Sequence, residues 1–307
     1  MAAERAEVLR LSGHRVRVTR PGKELFPQDG ITKADLVAHY RAVAPRMLPH
    51  LRGRPLSLER RPDGLAGEAF FTKRVPGHFP GWIARAEVAK KDGTLTMVVC
   101  KDTATLAYLA AQAAITLHPW LSRLDRPERP DRLIFDLDPP GDDFGLVRWA
   151  AFAMRDLLVE LGLRPAVMTT GSRGLHLLVP LRREEDHDGV RAFARAAAGA
   201  LARRHPDRLT TEPRKDRRRG RLYLDTQRNA YAQTGVAPYA VRARPHAPVA
   251  TPLHWEELAD ERVGPRHWTL RSLPGRLADC PDPWAGLGRD RRSLGPARRR
   301  LAELEPE

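Results

Sequence analysis

Cysteine is nearly missing from this chain: Cys100 and Cys280 are the two in 307 residues. They form no CxxC pair and belong to no Cys/His cluster, which argues against a zinc site or a disulfide scaffold and fits a reducing compartment. Long apolar runs are missing as well. Nothing approaches the roughly 20 residues that span a bilayer, and the opening MAAERAEVLR is charged where a secretory leader needs an apolar centre. The expectation is a cytoplasmic protein with no membrane partner. Acidic residues are in deficit, 38 Asp and Glu against 53 Lys and Arg, for a net charge of +15. That excess favours a polyanionic partner, nucleic acid before acidic lipid. The length allows a sizeable core in one large domain or two.

What is present centres on Arg132–Asp138, RLIFDLD. Period-2 alternation puts Leu133, Phe135 and Leu137 on one face of a strand and Ile134, Asp136 and Asp138 on the other. Two carboxylates two residues apart on one face repel each other unless a cation sits between them, and oxygen donors suit Mg²⁺ or Mn²⁺. Pro139-Pro140-Gly141 ends the strand just beyond. The bland alternative is a solvent-facing strand end.

The following residues give that strand a context. Phe144–Leu161 carries a helical stripe closed by Gly162, Ala166–Thr170 and Leu175–Pro180 read as strands around Gly171-Ser172-Arg173-Gly174, Asp186–Arg204 reads as a second helix, and Arg221–Asp225 as a fourth strand. The order β-α-β-β-α-β predicts an α+β protein with a split βαβ, ferredoxin-like or RRM-like sheet. In that topology the fourth strand lies beside the first, so Asp225 is expected next to Asp136 and Asp138, with His176 on the same face. The Ser172, Arg173 and His176 turn offers backbone N–H groups for a triphosphate. Together these suit two-metal phosphoryl transfer.

Elsewhere the signals are weaker. Residues up to about 20 alternate as edge strands, and Thr32 with Asp35 caps a helix to about Leu48 that buries Leu36, Tyr40, Val43 and Met47. Lys23 and Lys33 flank its start. Phe70 and Phe71 sit in a strand where period 2 sends one ring in and one out, near Lys73. Lys91-Asp92-Gly93 reads as a hairpin turn. A helix from about Thr103 is expected to run through Leu117, leaving His118 at its end. The run from Pro206 to Arg221 reads as a mobile basic loop, Val241-Arg242-Ala243-Arg244 as a strand with both arginines on one face, and the final residues as a frayed basic tail.

Two other functions fit parts of this pattern. LIFDLDPPG and VMTTGS are similar to motifs of haloacid-dehalogenase-like phosphatases, but Pro139 follows the second Asp and no paired-acid motif comes later. A non-catalytic RNA-recognition module shares the element order, yet it would display aromatics where this sheet displays acids.

DLDP, TGSRGLH with LLVP behind it, YLD followed by Arg228-Asn229, and VAPYAVRARPHAPVATPLHWEEL together resemble the primase-polymerase domain of bacterial end-joining DNA ligases, a branch of the archaeo-eukaryotic primases. GKELFP, AFFTK and LHPW extend the likeness over most of the chain. The resemblance implies a primase-polymerase architecture: an N-terminal α/β lobe over residues 1–125 for DNA end and template contacts, a catalytic palm over 126–290, and a tail over 291–307. It implies template-directed nucleotidyl transfer with Mn²⁺ or Mg²⁺, probing NTPs and dNTPs with a preference for ribonucleotides, at DNA gaps or double-strand breaks. A separate DNA ligase and a Ku-like end-binding protein would be partners, in the bacterial nucleoid. It assigns Asp136, Asp138 and Asp225 to metals, Ser172, Arg173, His176, His118 and Arg242 to the nucleotide, and Lys23, Lys33, Phe70 and Phe71 to DNA; the cations Arg228 and Arg244 are added as nucleotide candidates and Arg60 and Lys73 as DNA candidates. Arg173 stands where many relatives have Lys, and Thr226-Gln227 where an aromatic-aliphatic pair is usual.

Overall fold

The computed structural model describes residues 6–90 and 92–304. The chain forms two compact units. The first takes the chain as far as Trp120, then Val236–Ala250 and Trp268–Pro281; the second takes Leu121–Gly235, Thr251–His267 and the chain from Asp282. The expected single passage near residue 125 is thus replaced by repeated passages, and the expected separate tail falls within the second unit.

The first unit opens with a hairpin of β1 (Glu7–Leu11) and β2 (His14–Val18). Its turn residues Ser12 and Gly13 have φ of 47° and 78°, the left-handed pair whose twist suits a two-residue connection. A short ladder of β3 (Glu24–Phe26) and β4 (Ile31–Thr32) leads into helix α1 (Lys33–Leu51). Thr32 and Asp35 cap it reciprocally, Asp35 N–H donating to Thr32 Oγ1 at 3.2 Å and Thr32 N–H to Asp35 Oδ2 at 2.8 Å. The expected Leu36, Tyr40, Val43 and Met47 stripe is fully buried.

The main sheet of this unit is built on β5 (Pro55–Arg60), which pairs with β6 (Phe70–Thr72), β8 (Gly93–Val99) and β9 (Ala114–Pro119), while β7 (Arg85–Lys90) pairs with β8. Lys90 pairs with Gly93, which agrees with a tight turn, although Lys91 lies outside the described residues. Helix α2 covers only Thr103–Ala111. The expected continuation to Leu117 fails because Ala113 adopts a left-handed φ of 56° and the β-branched Ile115 and Thr116 enter β9. His118 is therefore a strand residue opposite Ser57, not a helix terminus.

In the second unit the predicted order holds. β10 (Arg132–Asp138), α3 (Phe144–Glu160), β11 (Ala166–Thr169), β12 (Leu175–Pro180), α4 (His187–Arg204), β13 (Leu209–Thr210), β14 (Leu222–Asp225) and β15 (Pro252–Leu253) build a six-stranded sheet ordered β13-β14-β10-β12-β11-β15. The four predicted strands thus lie in the split βαβ arrangement, with β10 and β12 central. β11 and β12 are antiparallel neighbours joined by a hairpin. A doubly wound phosphatase sheet would need a crossover there.

Leu133, Phe135 and Leu137 of β10 and Leu175, Leu177 and Val179 of β12 share the covered face, all fully buried. Both helices pack on it, α3 through Val147, Ala150 and Met154, and α4 through Val190, Phe193 and Ala197. Each such Leu or Phe contributes about 2 kcal/mol.

Two expectations for this unit need correcting. The basic run is partly ordered: Leu209–Thr210 adds a parallel edge strand, and Arg218 is buried. The expected frayed tail is a helix, Leu294–Leu304, that buries Leu294, Ala297 and Leu301 and pairs Arg298 with Glu185 at 2.6 Å. Residues 305–307 lie outside the described residues. Among the described residues no helix is long and apolar enough to cross a membrane.

Candidate active site

The register of the second unit's sheet determines which side chains meet. Asp136 on β10 lies directly opposite Asp225 on β14 and, on its other side, opposite His176 on β12. Directly paired residues project to the same face, with Cβ atoms roughly 4.5–5.5 Å apart. Asp138, two residues along β10, joins them there opposite Tyr223. The open face therefore carries three carboxylates and an imidazole, as the alternation predicts.

Cationic side chains surround the acids. Arg173 donates to Asp138 Oδ1 at 3.0 Å and Arg218 to Asp138 Oδ2 at 2.9 Å, so each oxygen has its own guanidinium. Arg228 Nε reaches Asp136 Oδ2 at 3.3 Å, and His176 Nε2 stands 3.5 Å from the same oxygen. Burial pushes the Asp136 carboxyl up, but His176 and Arg228 outweigh it and hold the group down at about 2. Asp225 moves the other way: burial raises it, and the negative charge of Asp136 adds to the rise against the Gln227 N–H. Two opposed carboxylates that shift apart in this way fit a divalent cation, which would relieve the repulsion.

Local structure fixes the loops that supply these groups. Thr170 N–H and Oγ1 both donate to Gly174 O, at 3.1 and 3.0 Å, which closes the Gly171–Arg173 loop. Gly174 presses against the neighbouring strand, where a Cβ would lie 1.9 Å from Leu137 O. Arg266 Nε donates to Ser172 O at 2.8 Å. On the β14 side, Gln227 N–H and Tyr223 Oη both donate to Asp225 Oδ1, at 2.7 and 3.3 Å. Buried Asn229 accepts from Ile134 N–H at 2.9 Å and donates to Ile134 O at 2.8 Å, tying the segment after β14 to β10. Gly235 then passes so close that a Cβ would stand 2.9 Å from Ile134 Cδ1 and 3.7 Å from His176 Cε1.

Reasoning from sequence missed three of these parts. Arg218 was one of several arginines in a run, yet it is held by Glu212 O and Pro213 O and lies 4.1 Å over the Tyr223 ring. Tyr223 and Asn229 stood in the sequence only as members of a motif, with no role of their own; the structure gives Tyr223 a hydrogen bond to Asp225 and Asn229 the two to Ile134.

The remaining candidates lie in the first unit. Lys23 pairs with Asp63 at 2.8 Å, and Lys33 is buried, donating to Thr19 O at 2.7 Å. Lys33 N–H donates to Lys23 O at 2.9 Å, so the backbone holds these two positions together at the start of α1. Arg60 ends β5 opposite Phe70 and donates to Gln112 O at 3.1 Å. Phe70 and Phe71 are both exposed, at 46% and 68%. The expected inward ring is absent because β6 is a three-residue edge strand with neither face covered. Lys73 follows it, exposed. Arg242 and Arg244 do not share a strand face: Val241 makes an isolated bridge to Val249, and Arg244 N–H turns back to Arg242 O at 2.8 Å.

A split βαβ sheet with an acid triad on its open face and cations around it has the form of a nucleotidyltransferase palm. The family model described as "LigD, primase-polymerase domain" matches residues 32–284. The multifunctional non-homologous end joining protein LigD of Mycolicibacterium smegmatis is 37% identical over 280 residues, covering 90% of this chain and 36% of that protein. The LigD of Pseudomonas aeruginosa is 36% identical over 293 residues, covering 93% and 34%. The solved polymerase domain of Mycobacterium tuberculosis ligase D in complex with DNA superposes with a TM-score of 0.85 at 35% identity, covering 91% of this chain and 99% of that one. The chain belongs to the LigD primase-polymerase domain family. It spans about a third of the length of the full LigD relatives it matches.

Proposed function

We propose that this protein is a template-directed polymerase that adds nucleotides to a primer 3′-OH at DNA gaps or broken ends during non-homologous end joining. The observation that carries the proposal is the direct opposition of Asp136 and Asp225, with Asp138 on the same face and guanidinium groups around it. Asp136, Asp138 and Asp225 would hold Mg²⁺ or Mn²⁺, and a bound pair of such ions supplies an activated hydroxyl and neutralises a departing pyrophosphate. Arg173, Arg228 and His176 border the same carboxylates and would take the triphosphate, with the backbone of the Ser172 loop beside them. Arg218 holds Asp138 in orientation from a fixed position. In the first unit, Lys23 and Lys33 would receive a recessed 5′-phosphate, and the exposed Phe70 and Phe71 rings offer stacking surfaces to template bases, with Arg60 and Lys73 beside their strand. His118, Arg242 and Arg244 complete the proposed nucleotide contacts.

The full proposal includes ribonucleotide preference, a DNA ligase activity that seals the extended end, a Ku-like end-binding partner and action in the cytoplasm at the nucleoid. Primer extension on gapped duplexes, comparing NTPs with dNTPs and Mn²⁺ with Mg²⁺, tests it. Asp136→Ala and Asp225→Ala are expected to abolish addition while leaving DNA binding measurable. Full activity of either variant with Mn²⁺ would refute the metal assignment.

A further inference from the structure

The β1–β2 hairpin presents its two faces very differently. Val16 and Val18 are buried on the face that packs on α2, and His14 at the turn stacks on Trp82 with centroids 4.5 Å apart and planes 10° apart. The outer face consists of Val8, Arg10, Arg15 and Arg17, all exposed. Arg10 pairs directly with Arg15, and Val8 with Arg17. Like charges facing each other across a ladder oppose its pairing unless an anion lies between or above them. No acidic side chain pairs with any of the three among the described residues.

We propose that this face is a clamp for the DNA sugar-phosphate backbone, a contact additional to those assigned to Lys23 and Lys33. Arg15 and Arg17 stand about 7 Å apart along one strand, and Arg10 faces Arg15 at about 5 Å. A rigid ribbon thus concentrates three guanidinium groups, which bind phosphate bidentately. The face carries no aromatic, so it engages phosphates and not base planes, and its contacts are independent of sequence. The family model matches from residue 32, so the hairpin lies outside the matched segment. The inference rests on the polymerase reading for the identity of the polyanion alone.

The test is fluorescence titration of a gapped duplex, with and without a 5′-phosphate, from 50 to 200 mM KCl. It compares the wild-type protein with Arg10→Gln/Arg15→Gln/Arg17→Gln, Arg15→Gln alone, and the triple Lys variant. Each lost phosphate contact removes about 0.9 from the slope of log K against log salt. The triple Gln variant should therefore lose about 2 to 3 from the slope, and Arg15→Gln about 1. The losses should be equal on phosphorylated and unphosphorylated ends, and the Lys variant should keep most of the slope. Lys23→Ala, by contrast, should weaken only the phosphorylated end. Unchanged slopes in Arg15→Gln and the triple Gln variant overturn the proposal, as does a loss confined to 5′-phosphorylated DNA. A wild-type protein that binds DNA with the hairpin-dependent slope but adds no nucleotide sinks the polymerase reading and leaves this one standing.

Discussion

Replacing Gly174 with alanine should damage the site without touching any of its charged groups. The added Cβ would lie 1.9 Å from the Leu137 carbonyl oxygen, while ordinary contact begins at 3.4 Å, so the β11–β12 loop and β10 must part by about 1.5 Å. Both groups are backbone, so no side-chain rotation relieves the clash. Forcing atoms into a packed position costs about 1–3 kcal/mol of stability. Leu137 lies between Asp136 and Asp138, and the loop carries Arg173, whose guanidinium pairs with Asp138. A displacement of about 1 Å in a catalytic constellation can lower a rate on the order of 100-fold. Gly174→Ala should therefore melt several degrees early and add nucleotides to gapped DNA at about a hundredth of the wild-type rate. DNA affinity should stay near wild type, since the proposed DNA contacts belong to the first unit. Wild-type rate and melting temperature together would refute the close-approach reasoning.

Two further predictions concern stability. Asn229→Ala removes the partner of both backbone groups of Ile134, leaving them buried and unpaired; urea denaturation should show a loss of about 2–4 kcal/mol. A loss under about 0.5 kcal/mol would mean that solvent or another group replaces the amide. His39 titrates at about 4 in the fold against 6.5 in a free chain, because burial outweighs its contact with Tyr239 O. Between those values the unfolded chain holds the extra proton, so stability falls as pH drops from 6.5 towards 4, by about 3 kcal/mol in full. His39→Gln should flatten that slope, and parallel pH profiles for the two proteins would contradict it.

The sheet was legible because its residues alternate cleanly. RLIFDLD has one apolar face and one acidic face, and the element order restricts the strand beside it to the one ending in Asp225. Other features depended on partners that a local pattern does not reveal. The Ala- and Leu-rich run through Leu117 reads as one helix, but a single left-handed residue, Ala113, divides it into helix and strand. Period 2 predicts one buried ring at Phe70 or Phe71 only if a layer covers the strand, and this edge strand has none. Val241–Arg244 alternates like a strand but folds as a turn. Arg218 looked like its solvated neighbours because what distinguishes it is the Tyr223 ring beneath it. The terminal helix did carry its signal, with Leu294, Ala297 and Leu301 at helical spacing, but dense arginines on the other faces obscured it.

Antiparallel pairing of β14 with β10 makes the triad a matter of parity. One residue inserted between Leu222 and Asp225 would turn Asp225 through the sheet, into the apolar layer beneath α4, and bring Leu224 up beside Asp136. The segment from Thr211 to Arg221 faces no parity constraint, and its length can change without altering which side Asp225 occupies so long as Arg218 still reaches Asp138. Variation among related chains should therefore accumulate in that segment away from Arg218, and the four residues of β14 should keep their number even where their identities drift.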